Sequence, residues 1–260
     1  MTDDNKEVIR NWLKQQIDLL NLSGQTTPVI PKIFIKSIFV KPTEVTGRLW
    51  TIMFPFSKSG DVGDPINMPV VKAEGFAETC FGLTKDRSGV FLKATAGGAH
   101  SPNSKYPRCE LREMLDDNGD RNASWSSTTG RHALEATLSV CHNLVRRKQV
   151  SLVQIHDSSD DVLQIALDDN RLVVFYNDKK DSALLDPNYL QGALVSIKIN
   201  IADGYSNVFY NGVEKASIKK SGSGWYFKVG CYLQSSVKDW HESPNAWGIV
   251  ELYHLKVFHE

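Results

Sequence analysis

From about residue 33 to the C-terminus, hydrophobic positions fall in short runs instead of helical stripes. Runs rich in Val, Ile, Phe, Tyr and Trp alternate with turn signals at Ser59-Gly60, Gly97-Gly98, Asp117-Asn118-Gly119, Asn177-Asp178, Asp203-Gly204 and Asn211-Gly212. This texture predicts strands over residues 90–94, 109–115, 133–140, 150–156, 162–167, 172–176, 193–201, 225–234 and 249–258. Asn211-Gly212, between 208–210 and 213–216, signals a hairpin, because both residues tolerate the positive φ of a two-residue turn. Many short strands with little helix between them make an antiparallel sandwich or barrel.

The N-terminal stretch reads differently. Ile9, Trp12, Leu13, Ile17 and Leu20 stand at helical spacing within residues 7–22, so an amphipathic helix is expected there. Ser23-Gly24 ends it, and Pro28 and Pro31 lie in the linker that follows. The expected organisation is a helix and linker over residues 1–30 and one β-rich domain over 31–260.

Composition narrows the function classes. The 260 residues carry 30 Lys+Arg and 30 Asp+Glu, a formal net charge of zero. Neutrality removes the long-range attraction a nucleic-acid binder exploits, so no nucleic-acid partner is expected. No run approaches the roughly 18 apolar residues of a membrane span, and no membrane partner is expected either. The chain reads as a monomer. The start, MTDDNK, is acidic and polar, with no visible secretory signal.

Cys80, Cys109, Cys141 and Cys231 form no CxxC pair and join no histidine at zinc-site spacing, so free buried thiols are expected. Neither metal nor cofactor is implied. The run His156 to Asp161 lacks EF-hand spacing and reads as a solvated turn. Arg146-Arg147-Lys148 reads as an exposed turn, and His100, His132, His142, His241, His254 and His259 as structural or exposed. Trp240 and Trp247 are assigned to core packing, with sugar stacking as the alternative.

Three of the expected strands share an unusual chemistry. Side chains alternate across a strand, so residues i, i+2 and i+4 share a face. Arg108, Glu110 and Arg112 fall on one face of the first, with Cys109 and Leu111 behind them. Gln154 and His156 share a face of the second. On the third, Tyr226, Lys228, Gly230, Tyr232 and Gln234 stand opposite Phe227, Val229, Cys231 and Leu233. A merely wet face favours Ser, Thr, Lys and Glu. Arg, Gln, His and Tyr instead suggest a cationic cleft, provided the strands adjoin. Gly230 is expected to leave room for something to approach the backbone.

These segments resemble the signature regions of the alginate lyases of polysaccharide lyase family 7. Arg108 to Glu113 (RCELRE) is similar to the family's R-x-E-L-R-E block, and Gln154-Ile155-His156 to its Q-I/V-H motif. Tyr226 to Gln234 (YFKVGCYLQ) resembles its Y-F-K-A-G-x-Y-x-Q strand, with Val229 in the usual alanine position. The order and distances also agree, over about residues 30 to 260. The resemblance implies a β-jelly roll, a concanavalin A-like sandwich of two antiparallel sheets with a concave active face. It implies β-elimination of an acidic polysaccharide, alginate, and an extracellular setting.

That chemistry needs a weakly acidic C5 proton removed beside a carboxylate. Arg108, Gln154 and His156 are expected to neutralise the carboxylate, since preorganised charge aimed there stabilises the enolate-like dianion. The resemblance makes Tyr232 the acid to O4, and also the base where the C5 proton and O4 share a side; His156 is the base where they do not. Isoleucine in the QIH form implies activity toward guluronate blocks. Arg112, Lys228 and Gln234 are expected to hold neighbouring carboxylates, Tyr226 to line the substrate, and Glu110 to orient the arginines. A glycoside hydrolase would need two carboxylates in a strand-borne acidic motif, which the chain lacks. A lyase for another polyuronate, such as glucuronan, and a non-catalytic acidic-polysaccharide-binding module share the cationic floor.

Overall fold

The computed structural model describes residues 50–59, 61, 63–73, 79–86, 88–115 and 121–260. The expected N-terminal helix and linker, Gly60 and the turn at Asp117-Asn118-Gly119 lie outside them. The described residues form two antiparallel sheets, with strands numbered along the chain. The first runs, in spatial order, β10 (Asp181–Asp186), β9 (Arg171–Tyr176), β8 (Asp161–Asp168), β7 (Gln149–His156), β14 (Tyr226–Leu233), β5 (Arg108–Glu113), β1 (Trp50–Ser57) and β2 (Pro65–Pro69). The second runs β13 (Val213–Lys219), β12 (Tyr205–Tyr210), β11 (Val195–Ala202), β6 (His132–His142), β15 (Trp247–His259), β4 (Val90–Thr95) and β3 (Phe81–Leu83). This is the expected jelly roll.

Every strand expected from the alternation is present, with ends shifted by one or two residues. Asn211 and Gly212 both adopt positive φ, 48° and 82°, in the turn joining β12 to β13. Strands β1, β2, β3 and β10 were not among the expected ones. Prolines obscure the first two: Pro65 and Pro69 bound edge strand β2, and Pro55 sits inside β1. Pro55 falls where the β1–β2 register is interrupted, between Met53 and Ser57, so its missing N–H breaks no regular ladder. Strand β10 is an edge strand with mostly exposed side chains and shows no apolar stripe.

The apolar faces of the two sheets meet in the core. Ile52, Leu111, Val153, Ile155, Phe227 and Val229 of the first sheet and Leu92, Leu134, Leu138, Val250 and Leu252 of the second are fully buried. Cys80, Cys109 and Cys231 are buried free thiols, and Cys141 is a half-buried one. Burial of this apolar area, at about 25 cal/mol per Å², is the main force holding the sheets together.

Strands β5, β7 and β14 are buried on both faces along most of their length. One face is apolar and belongs to the core; the other is polar. In a two-layer sandwich that second face is ordinarily wet, and here its polar side chains are buried.

A polar tie closes one end of the sandwich. Glu113 at the end of β5 accepts hydrogen bonds on Oε2 from the Phe227 backbone N–H (3.0 Å) and the Trp125 indole (3.1 Å). Its Oε1 lies 2.6 Å from His259 Nε2 on β15. His259 Nδ1 is 2.7 Å from His132 Nδ1 on β6, and His132 Nε2 donates to the carbonyls of Ser126 and Thr129. The tie spans both sheets and fixes β14 between Tyr226 and Lys228.

Candidate active site

Strand pairing brings the three expected segments side by side, in the order β7–β14–β5. Tyr232 stands opposite Arg108, Gly230 opposite Glu110, and Lys228 opposite Arg112. On the other flank, Lys228 stands opposite Gln154 and Tyr226 opposite His156. Side chains of paired residues project to the same side of a sheet, so all nine expected residues share the concave face or its edge.

Arg108 is the hub of one end. Its guanidinium carbon lies 3.5 Å from the Tyr232 ring centroid, its Nη1 lies 3.4 Å from Glu110 Oε2, and its Nη2 donates to Ser104 Oγ at 2.6 Å. Ser104 Oγ is also 3.2 Å from the Tyr232 hydroxyl. Glu110 Oε2 lies 3.8 Å from Lys228 Nζ as well, so one carboxylate serves two cations. Ser104 was not anticipated; it precedes the RCELRE block in a loop whose sequence carries no signal.

His156 is the hub of the other end. Its Nδ1 is 2.6 Å from the Asp157 carbonyl oxygen and 3.1 Å from the Tyr226 hydroxyl. A carbonyl only accepts, so Nδ1 carries the proton, and the neutral ring keeps a bare lone pair on Nε2. Tyr226 is 6% exposed, and its ring lies near both Arg112 (5.6 Å) and Lys228 (5.8 Å). It supports His156 and is buried to about the same degree as Arg108, Gln154 and Lys228. Gln234, just past β14, accepts from Lys179 Nζ at 3.4 Å across the face.

Burial and charge set the protonation of this floor. Burial alone would push the Glu110 carboxyl up, but Lys228, Arg108 and Arg112 together outweigh it and hold it below the usual carboxylate range. Burial pulls the Lys228 ammonium down to about 8, against the pull of Glu110. Burial, then the positive field of Lys228, lowers the His156 imidazole to about 4. At neutral pH His156 is therefore a neutral base, Glu110 an anion, and the floor net positive.

Much of the polar capacity of this face is unused. Thr51 Oγ1, Arg108 Nε, Ser151 Oγ, Gln154 Oε1 and both amide atoms of Gln164 are buried without a hydrogen-bond partner. Thr51 pairs with Arg112, Ser151 with Tyr232 and Gln164 with Gln154, so these groups lie on the concave side. Buried polar groups are ordinarily satisfied, so this concentration of unpaired atoms sets the face apart from the apolar core. Gln164 too was missed; its signal is a single amide inside the apolar run 162–167.

Two expectations change. Gly230 lies tight against the neighbouring strand: a Cβ there would lie 2.5 Å from the Cys109 carbonyl oxygen and 2.7 Å from Glu110 Cα. The glycine permits close packing of β14 on β5 instead of ligand access. Trp240 does not pack in the core; it is 51% exposed. Trp247 is half-buried, its ring tilted 41° to that of His142 at 3.8 Å, with Lys93 Nζ 4.7 Å away.

Comparison with known proteins bears directly on this face. Residues 48–259 match the family described as alginate lyase. The chain belongs to the alginate lyase family. It is accordingly a polysaccharide lyase. Among solved structures it resembles the alginate lyase AlgAT5 of polysaccharide lyase family 7, at 37% identity and a TM-score of 0.75, over 82% of this chain and 94% of that one. It resembles an alginate lyase from Corynebacterium sp. at 31% identity, with the same TM-score and coverage. An alginate lyase from Pseudomonas aeruginosa, at 22% identity and a TM-score of 0.68, shares the fold over 82% of this chain and 98% of that one. No curated protein sequence matches. Family membership implies an acidic polysaccharide as substrate.

Proposed function

We propose that this lyase cleaves alginate by β-elimination on the concave face, leaving a 4,5-unsaturated uronate end. The observation that carries the reading is the convergence of Arg108, Gln154, His156 and Tyr232 on one buried, positively charged floor. The alginate activity named for the two relatives above 30% identity supports the choice of substrate.

In this reading Arg108 and the Gln154 amide bind the uronate carboxylate and quench its charge. The C5 proton passes to a base, the freed electron pair forms the C4=C5 double bond, and the C4–O4 bond breaks. O4 leaves with the proton of the Tyr232 hydroxyl. His156 Nε2, bare because Nδ1 is committed to the Asp157 carbonyl, is the base for guluronate. Where the C5 proton and O4 share a side, Tyr232 enters as the phenolate, takes the C5 proton and passes that same proton to the departing O4. Negative charge arising on the phenol oxygen is balanced by the Arg108 guanidinium against its ring. Glu110 holds Arg108 and Lys228 in place, and Arg112 and Lys228 receive the carboxylates of flanking sugars.

The test is incubation with mannuronate-rich and guluronate-rich alginate and with glucuronan. Ultraviolet absorbance should rise as conjugated unsaturated ends form. Alginate left uncut while glucuronan yields product would reassign the substrate, and binding without any product would remove the elimination.

A further inference from the structure

The loop between β14 and β15 holds an aromatic side chain in a costly position. Trp240 is half exposed, and it and His241 adopt φ of 75° and 50°, a left-handed backbone that bulky residues avoid. The loop is built to hold that turn. Buried Glu242 accepts on Oε1 from the backbone N–H groups of Arg146 and Arg147, each at 3.0 Å, and lies 3.3 Å from Ser235 Oγ. Ser236 bonds Asp239 twice, N–H to carbonyl in one direction and N–H to hydroxyl in the other.

The neighbours of Trp240 lead back to the catalytic face. Arg147 places its guanidinium carbon 5.3 Å from the indole centroid and is itself anchored to Gln149 Oε1 at 2.8 Å and near Asp168 at 3.6 Å. The Tyr106 side chain neighbours Trp240, Asp239, Tyr232 and Arg147. Two residues before Tyr106, Ser104 contacts the Tyr232 hydroxyl. Gln149, which anchors Arg147, opens β7, and its carbonyl accepts from the Gln234 backbone N–H at 3.1 Å, so Trp240 stands near the Tyr232–Gln234 end of the floor.

We propose that Trp240, with Tyr106 and Arg147, forms a distal subsite that stacks one further uronate ring of the polysaccharide and binds its carboxylate. A sugar's C–H face suits an indole, and a guanidinium fork suits a carboxylate. The strained, clamped turn keeps the ring exposed where solvent alone would favour its burial. The inference rests on the proposed function for the identity of the ligand.

The experiment compares wild type, Trp240→Ala and Trp240→Phe on alginate trimers, hexamers and polymer, with thermal melts confirming folding. Trp240→Ala should raise KM about tenfold on hexamer and polymer with kcat changed less than twofold. Trimers, too short to span both places, should show no change, and Trp240→Phe should recover most of the affinity. Equal KM values for wild type and Trp240→Ala at every length overturn the subsite, as does an equal loss on trimers. If wild type cuts no polyuronate, the elimination reading fails by itself. Calorimetric binding of hexamer to the same three proteins then decides the subsite independently, weaker binding by Trp240→Ala supporting it and unchanged binding refuting it.

Discussion

The Arg108 guanidinium carbon lies over the ring of Tyr232, 3.5 Å from its centroid, and the two residues are direct partners across β5 and β14. The contact places a permanent positive charge beside the proposed proton donor, whose hydroxyl lies 3.2 Å from Ser104 Oγ at the end of the ring. Tyr232→Phe keeps the stack and deletes only the hydroxyl. It should lose about 10²–10⁴-fold in kcat, keep its melting temperature within a few degrees, and still bind alginate. An active Tyr232→Phe protein would remove that residue from the chemistry.

The rate should follow a bell in pH. Activity on guluronate blocks requires neutral His156 and so falls as pH drops through about 4. It also requires charged Lys228 and so falls as pH rises through about 8. Profiles of kcat/KM report these groups in the free enzyme. A rate that holds level well above pH 8 would exclude the lysine.

Folding stability carries the histidine's signature as well. Its folded value of about 4 lies below the unfolded 6.5, so the unfolded chain binds the extra proton first. Its contribution is present above 6.5 and is lost as pH falls from 6.5 to 4. Denaturant titrations of wild type and His156→Gln across that window should show the difference shrinking at low pH.

Glu110 is an anion set among the floor's cations, 3.4 Å from Arg108 and 3.8 Å from Lys228. Glu110→Gln removes the group that supports the charge of buried Lys228. The alkaline limb of the rate profile should move below pH 8, and activity at neutral pH should fall. An unmoved limb would mean that the carboxylate does not set the lysine's charge.

Gly230→Ala tests the close approach of β14 to β5. The added methyl meets backbone on both contacts, at 2.5 and 2.7 Å, and neither can swing aside. The expected cost is about 1–3 kcal/mol, read in urea, with a larger loss of rate because Arg108 and Tyr232 are displaced.

Residue alternation was enough to place the polar faces of β5, β7 and β14, because side-chain direction in a strand is a local property with a period of two. The order of motifs was enough to suggest the family, and the Asn211-Gly212 hairpin rests on the positive φ those two residues tolerate. Edge strands β2 and β10 escaped because a strand with little buried surface leaves little pattern in its sequence.

Other features depend on residues far apart in the chain. Ser104 reaches Tyr232 across 128 positions, Lys179 reaches Gln234 across 55, and Glu113 meets His259 across 146. Such contacts arise from how the strands are ordered in the sheets, and no local spacing encodes that order. The protonation of Lys228 and His156 is of the same kind, since burial shifts both and burial belongs to the assembled sandwich. Trp240 shows the limit plainly: a tryptophan's composition argues for the core, and only the clamp from Glu242 to the Arg146–Arg147 backbone turns it outward.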